Sequence, residues 1–137
     1  MSSTNHNIHI TKNISASREA VFNLFRDNTV FKLTGANEIE SDFKVGGKFS
    51  LLFKNRGTIS GRFIKLTESE IILEWDVEGF NLPKETNTIL KISLMQEEQM
   101  CLIELIHSNI NNADSAAAKK RAWTEILDDI EKAIGNK

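Results

Sequence analysis

The stretch that most limits how this chain can fold is its last one. From about Ser115 to Ile134, Trp123, Ile126, Leu127, Ile130, Ala133 and Ile134 recur at helical spacing, while Arg121, Glu125, Asp128 and Lys132 fall on the other face. Some twenty residues rising 1.5 Å each make a rod of roughly 30 Å, and Gly135 is a natural C-terminal stop. One such rod crosses a whole small sheet. Its apolar stripe needs a cover of matching length, and that requirement decides how everything upstream is read.

Upstream, the dominant period is two. Ile8, Ile10 and Ile14 share a parity; so do Phe49, Leu51 and Phe53, then Ile71, Leu73, Trp75 and Val77, then Leu90, Ile92 and Leu94, then Cys101, Ile103, Leu105 and His107. Each run predicts a strand with one buried face. Asn55 to Gly57 reads as a hairpin turn, and Thr58 to Leu66 as a further strand whose interior Gly61 suggests a bulge. Glu78 to Glu85, with Gly79, Asn81 and the only proline, reads as a loop; Gln96 to Gln99 reads as a turn and Asn109 to Asp114 as a polar break. Between the first strand and Gly46-Gly47, Ser17 caps a short helix carrying Val21, Phe22 and Phe25, which ends near Asn28; Val30 to Leu33 is a helical turn. Short turns impose antiparallel neighbours. The expected fold is therefore α+β: a curved antiparallel sheet of about six or seven strands wrapped around a long C-terminal helix, with residues 1–137 forming one domain.

Composition enters where it excludes. A chain of 137 residues buries roughly two-thirds of its unfolded surface, and 40% hydrophobic with 26% charged residues is ordinary globular usage. A net charge of −2 offers no basic field, so no nucleic-acid partner is expected. No run nears the ~18 consecutive apolar residues of a membrane span, and polar Met1 to Asn7 lacks a signal-peptide core. Cys101, the sole cysteine, lies in a strand pattern and reads as a buried thiol. A cytoplasmic location is the default expectation.

Chemical motifs are sparse. His6 and His9 split between the faces of a strand with no third ligand nearby, Gly46-Gly47 suits tight backbone bending better than phosphate binding, and no cofactor or metal is expected. His107 shares the face of Ile103 and Leu105: it is either a hydrogen-bonded core histidine or a ligand contact. No nucleophile can be set beside it from sequence, so no catalytic residue is named.

The series Ile14, Ser17, Arg18, Glu19, Val21, Phe22, then Asp42 to Phe49 with Gly46-Gly47, Gly61, Trp75, His107-Ser108 and Trp123 resembles the heat-shock-protein-90 ATPase activator homologue family of the START-like superfamily. The resemblance implies the helix-grip fold and an apolar cavity between sheet and helix. Its lining would come from Phe49, Leu51, Phe53, Phe63, Leu73, Trp75, Ile103, Leu105, His107, Trp123, Leu127 and Ile130, though aromatic stripes more often fill an interior than line a cavity. Three functions follow as expectations: a non-catalytic module for a small hydrophobic or amphipathic molecule, a protein-interaction domain for heat-shock protein 90, or a cyclase- or aromatase-like enzyme.

Overall fold

Alternating apolar side chains produce the strands, and turn chemistry joins them. The computed structural model describes residues 6–135. In chain order it has β1 (His6–Ile14), α1 (Arg18–Arg26), α2 (Thr29–Leu33), β2 (Glu38–Ser41), β3 (Lys48–Phe53), β4 (Gly57–Leu66), β5 (Glu70–Gly79), β6 (Leu82–Glu97), β7 (Met100–Ile110) and α3 (Ala113–Gly135). All seven strands form one curved antiparallel sheet in the order β1-β7-β6-β5-β4-β3-β2. The two ends of the sheet are thus β1 and β2, and α1 with α2 spans between them.

Every predicted parity holds. Phe49, Leu51, Phe53, Ile71, Leu73, Trp75, Leu90, Ile92, Leu94, Ile103 and Leu105 are all buried on the concave face. Trp123, Ile126, Leu127 and Ile130 of α3 close over them, completing one apolar core. Lys12 of β1 ties α3 down through Asp128 at 2.8 Å and Glu131 at 3.1 Å. Ser17 caps α1 as expected, its hydroxyl accepting from the Ala20 amide at 3.0 Å. No helix among the described residues is long and apolar enough to cross a membrane.

Four local readings change. Glu78 to Glu85 is no loop: β5 runs to Gly79 and β6 starts at Leu82, so only Phe80 and Asn81, both at positive φ (60° and 58°), make the turn. Glycine, asparagine and proline in one short stretch read as a break, whereas two left-handed residues are the requirement of a tight hairpin. The polar break also shortens, since β7 extends to Ile110 and α3 begins at Ala113. Glu38–Ser41 adds a strand that the sequence pattern does not signal, since Ile39 is its only apolar residue and no alternation can register.

Finally, the β4–β5 register shifts between Phe63 and Lys65, leaving Gly61 outside the bulge. Gly61 is required for closeness instead. A Cβ there would lie 2.0 Å from the Glu74 carbonyl oxygen and 3.0 Å from the Phe49 ring.

Candidate functional site

Strand parity brings the aromatic residues of β3, β4 and β5 onto the concave face, and helical spacing aims Trp123 at them. The result is a continuous series of rings. Phe49 lies 5.6 Å from both Phe63 and Trp75, and Trp75 lies 5.1 Å from Trp123. The short helices add to it, because Phe31 of α2 stacks on Phe49 at 5.2 Å. Phe25, Val30 and Phe31 therefore plug one end of the concavity.

The plug decides where space is left. Beneath α1, α2 and the Trp123 region of α3, the enclosed void between Phe25, Phe31, Phe63, Leu73, Leu90 and Trp123 is only about 10 Å³, room for about one water. A second, solvent-open cleft of about 370 Å³ runs along α3, between that helix, the C-terminal end of α2 at Leu33 and Thr34, and the β3–β4 and β5–β6 hairpins. Its buried floor is Phe53, Trp75, Val77, Trp123 and Ile126, and the more exposed Arg56 and Phe80 stand at its mouth. The α3 wall is low because Ala118 and Ala122, four residues apart, face the cleft.

The twelve proposed lining residues divide accordingly. Phe53, Trp75 and Trp123 line the cleft, while Phe63 and Leu73, again with Trp123, border the small void. Phe49 packs among rings; Leu51, Ile103, Leu105, Leu127 and Ile130 are buried in the core and border neither space. His107 is wholly buried behind the two tryptophans, its ring 6.0 Å from that of Trp75.

The hydrogen bonds of His107 are fully determined. Trp123 Nε1–H can only donate, and it donates to His107 Nδ1 at 3.3 Å. That nitrogen is thus unprotonated, so the proton sits on Nε2, which donates to Thr88 Oγ1 at 2.9 Å. Thr88 in turn donates to the Trp75 carbonyl. The relay links α3, β7, β6 and β5 with every donor used. Burial, aided by the positive Lys119, pushes the His107 pKa down to about 3, so the ring is neutral.

A second buried polar group lies at one end of the cleft. Glu85, near the start of β6 and 1% exposed, accepts from Lys119 Nζ at 2.5 Å and Ser115 Oγ at 2.9 Å with one oxygen, and from the Asn111 amide at 3.2 Å with the other. Lys119 also donates to Ser115 Oγ at 2.7 Å. Ser115 and Lys119 are one turn apart on α3, and both line the cleft.

Phe80, Arg56, Glu85, Ser115 and Lys119 were not anticipated from the sequence. Phe80 sits where a loop was expected. Lys119 and Ser115 were legible as helix residues, but nothing in the chain reveals that Glu85, thirty-four residues before Lys119, lies opposite them. Among the described residues no three histidine, cysteine, aspartate or glutamate side chains converge as a metal ion requires.

Solved structures share this architecture. An HSP90 activator from Plasmodium falciparum is 27% identical, with 94% of this chain and 96% of that one covered and a TM-score of 0.76. An Aha1 dimer from Colwellia psychrerythraea is 23% identical (93% and 95% covered, TM-score 0.77), and CalU16 from Micromonospora echinospora is 19% identical (95% and 74%, TM-score 0.74). These two likenesses show the fold alone. No curated protein matches the chain. The family model described as "Activator of Hsp90 ATPase homolog 1-like protein" matches residues 15–135, which hold six of the seven strands and all three helices. The chain belongs to the activator of Hsp90 ATPase homolog 1-like family.

Proposed function

We propose that this protein is a non-catalytic binding module that takes a small apolar or amphipathic molecule in the cleft beside α3. The observation that carries this reading is the cleft itself. At about 370 Å³ it falls in the size range of small-molecule sites, and its walls are mainly apolar with a few polar groups at one end and at the rim. Each 100 Å² of apolar ligand surface buried there would contribute roughly 2.5 kcal/mol before the costs of ordering. Support for a binding role over a catalytic one comes from His107, whose two ring nitrogens are both occupied by structural hydrogen bonds.

Ala118 and Ala122 are exposed wall residues, so enlarging them narrows the cleft without touching the core. A thermal-shift panel of lipids and metabolites on wild type and on Ala122→Leu tests the idea. Compounds that raise the wild-type Tm by a few degrees and leave Ala122→Leu unmoved support it, because only native-state binding stabilises. A panel that moves neither protein contradicts it.

A second reading is favoured by family membership and by the likeness to the HSP90 activator of P. falciparum. In it, an exposed face of this domain engages the host's heat-shock protein 90. Pull-down with that chaperone, together with its ATPase rate with and without this protein, tests it. Association at micromolar concentration supports the reading, and no association removes it.

A further inference from the structure

We propose that the cleft prefers a planar aromatic molecule carrying a neutral oxygen acceptor, an assignment that rests on the binding reading above. Two ring pairs supply the aromatic preference. Trp75 and Trp123 meet at 5.1 Å and 54°, and Phe53 and Phe80 at 5.2 Å and 72° in an edge-to-face arrangement. All four rings line the same space, so a flat guest finds ring faces and edges from β3, β5, α3 and the β5–β6 turn.

Phe80 is the independent sign that the site is built. Gly79, Phe80 and Asn81 have φ of 102°, 60° and 58°, and a bulky residue in the left-handed region is a backbone outlier. Asparagine or glycine is the unstrained choice at that turn position. Strain of this kind gathers where a side chain is needed at a set place. Room is also kept for the ring, since a Cβ on Gly57 would come within 2.6 Å of it. The Arg56 guanidinium carbon lies 5.7 Å from the Phe80 ring centre and 5.8 Å from that of the buried Phe53, bridging the two rings.

The polar preference follows from Lys119. Its ammonium has three N–H donors; two go to Glu85 and Ser115, which leaves one for a guest in the cleft that Lys119 lines. A carboxylate guest gains little from this charge. Glu85 already offsets it, and Glu125 and Asp129 on the α3 wall repel an anion even with Arg56 opposite. A ketone or phenol oxygen accepts the hydrogen bond without that repulsion.

The chain's two tryptophans both line the cleft, so their indole N–H signals in a ¹H–¹⁵N spectrum report occupancy directly. Three probes separate the possibilities: acetophenone, octan-2-one with the same carbon count and acceptor but no ring, and benzoate with the ring but a charge. Acetophenone is expected to shift the indole signals and to bind roughly fivefold more tightly than octan-2-one, the size of an aromatic-pair advantage. Benzoate is expected to bind more weakly than acetophenone. Phe80→Gly exchanges the ring's packing on Phe53 for relief of the turn, so it should remain folded while weakening acetophenone severalfold.

Equal or tighter binding of octan-2-one overturns the aromatic assignment and leaves the binding reading standing. Tighter binding of benzoate overturns the neutral acceptor, and unchanged acetophenone affinity in Phe80→Gly overturns the role of the strained ring. Indole signals unmoved by all three probes at millimolar concentration overturn both the assignment and the reading on which it rests.

Discussion

At the scale of single residues, His107 shows how packing settles a chemical question. A histidine on the concave face of a strand could have been a ligand contact or a proton donor, but the fixed direction of the Trp123 N–H leaves one tautomer and no free nitrogen. Its pKa of about 3, against 6.5 in the unfolded chain, has a thermodynamic consequence. The unfolded chain takes up a proton that the native state refuses, so the stabilising contribution is complete above pH 6.5 and is lost as pH falls toward 3. Urea denaturation at pH 7 and pH 4 should differ by about 3 kcal/mol from this residue, and His107→Asn should flatten that dependence. Trp123 carries two separable contributions. Trp123→Ala should cost about 3–5 kcal/mol in lost packing, whereas Trp123→Phe keeps most of the ring and should cost about 1–3 kcal/mol for the Nδ1 left without its donor. A loss below about 1 kcal/mol for the alanine variant would mean that α3 is not anchored by this ring.

At the scale of elements, the join between β6 and the first turns of α3 is made by buried charge. Glu85 and Lys119 have side-chain exposures of only 2% and 9%, and removing one partner leaves the other buried without its counter-charge. Glu85→Ala should therefore cost about 3–5 kcal/mol in chemical denaturation, and the double variant Glu85→Leu/Lys119→Met should recover much of the loss. In β4, Gly61→Ala forces a Cβ toward the Glu74 carbonyl and should cost about 1–3 kcal/mol, with the damage read as exchange of the β4–β5 amides. Most elements were legible because parity and helical spacing are local: β1, β3, β4, β5, β7, α1 and α3 could be read from the chain, their ends moving by a few residues. What resisted had physical reasons. β2 has one apolar residue, so its pairing with β3 creates the pattern that its sequence lacks. The β5–β6 hairpin was hidden by residues that break strands elsewhere, and Gly61 marks a close approach between strands whose cause lies thirteen residues away at Glu74. For the candidate site, Phe53, Trp75 and Trp123 were in view as inward aromatics, while Phe80, Arg56 and the Glu85–Lys119 pair depend on which hairpins meet α3.

At the scale of the whole molecule, the sheet curves far enough to enclose a long helix, and two short helices then fill part of the concavity. Phe25, Val30 and Phe31 close the space under α3 to about 10 Å³, and the opening that is left lies between α3, the C-terminal end of α2 and the two hairpins. The position of the open cleft therefore follows from where those three side chains go. A binding function requires that this cleft hold a guest. Native mass spectrometry of gently purified protein, run beside Ala118→Leu/Ala122→Leu, measures this most directly. Wild type is expected to retain a small molecule, or to take one up from an added panel, and the narrowed variant to exclude it. Guest-free wild type throughout the panel, or equal retention by both proteins, would contradict that function.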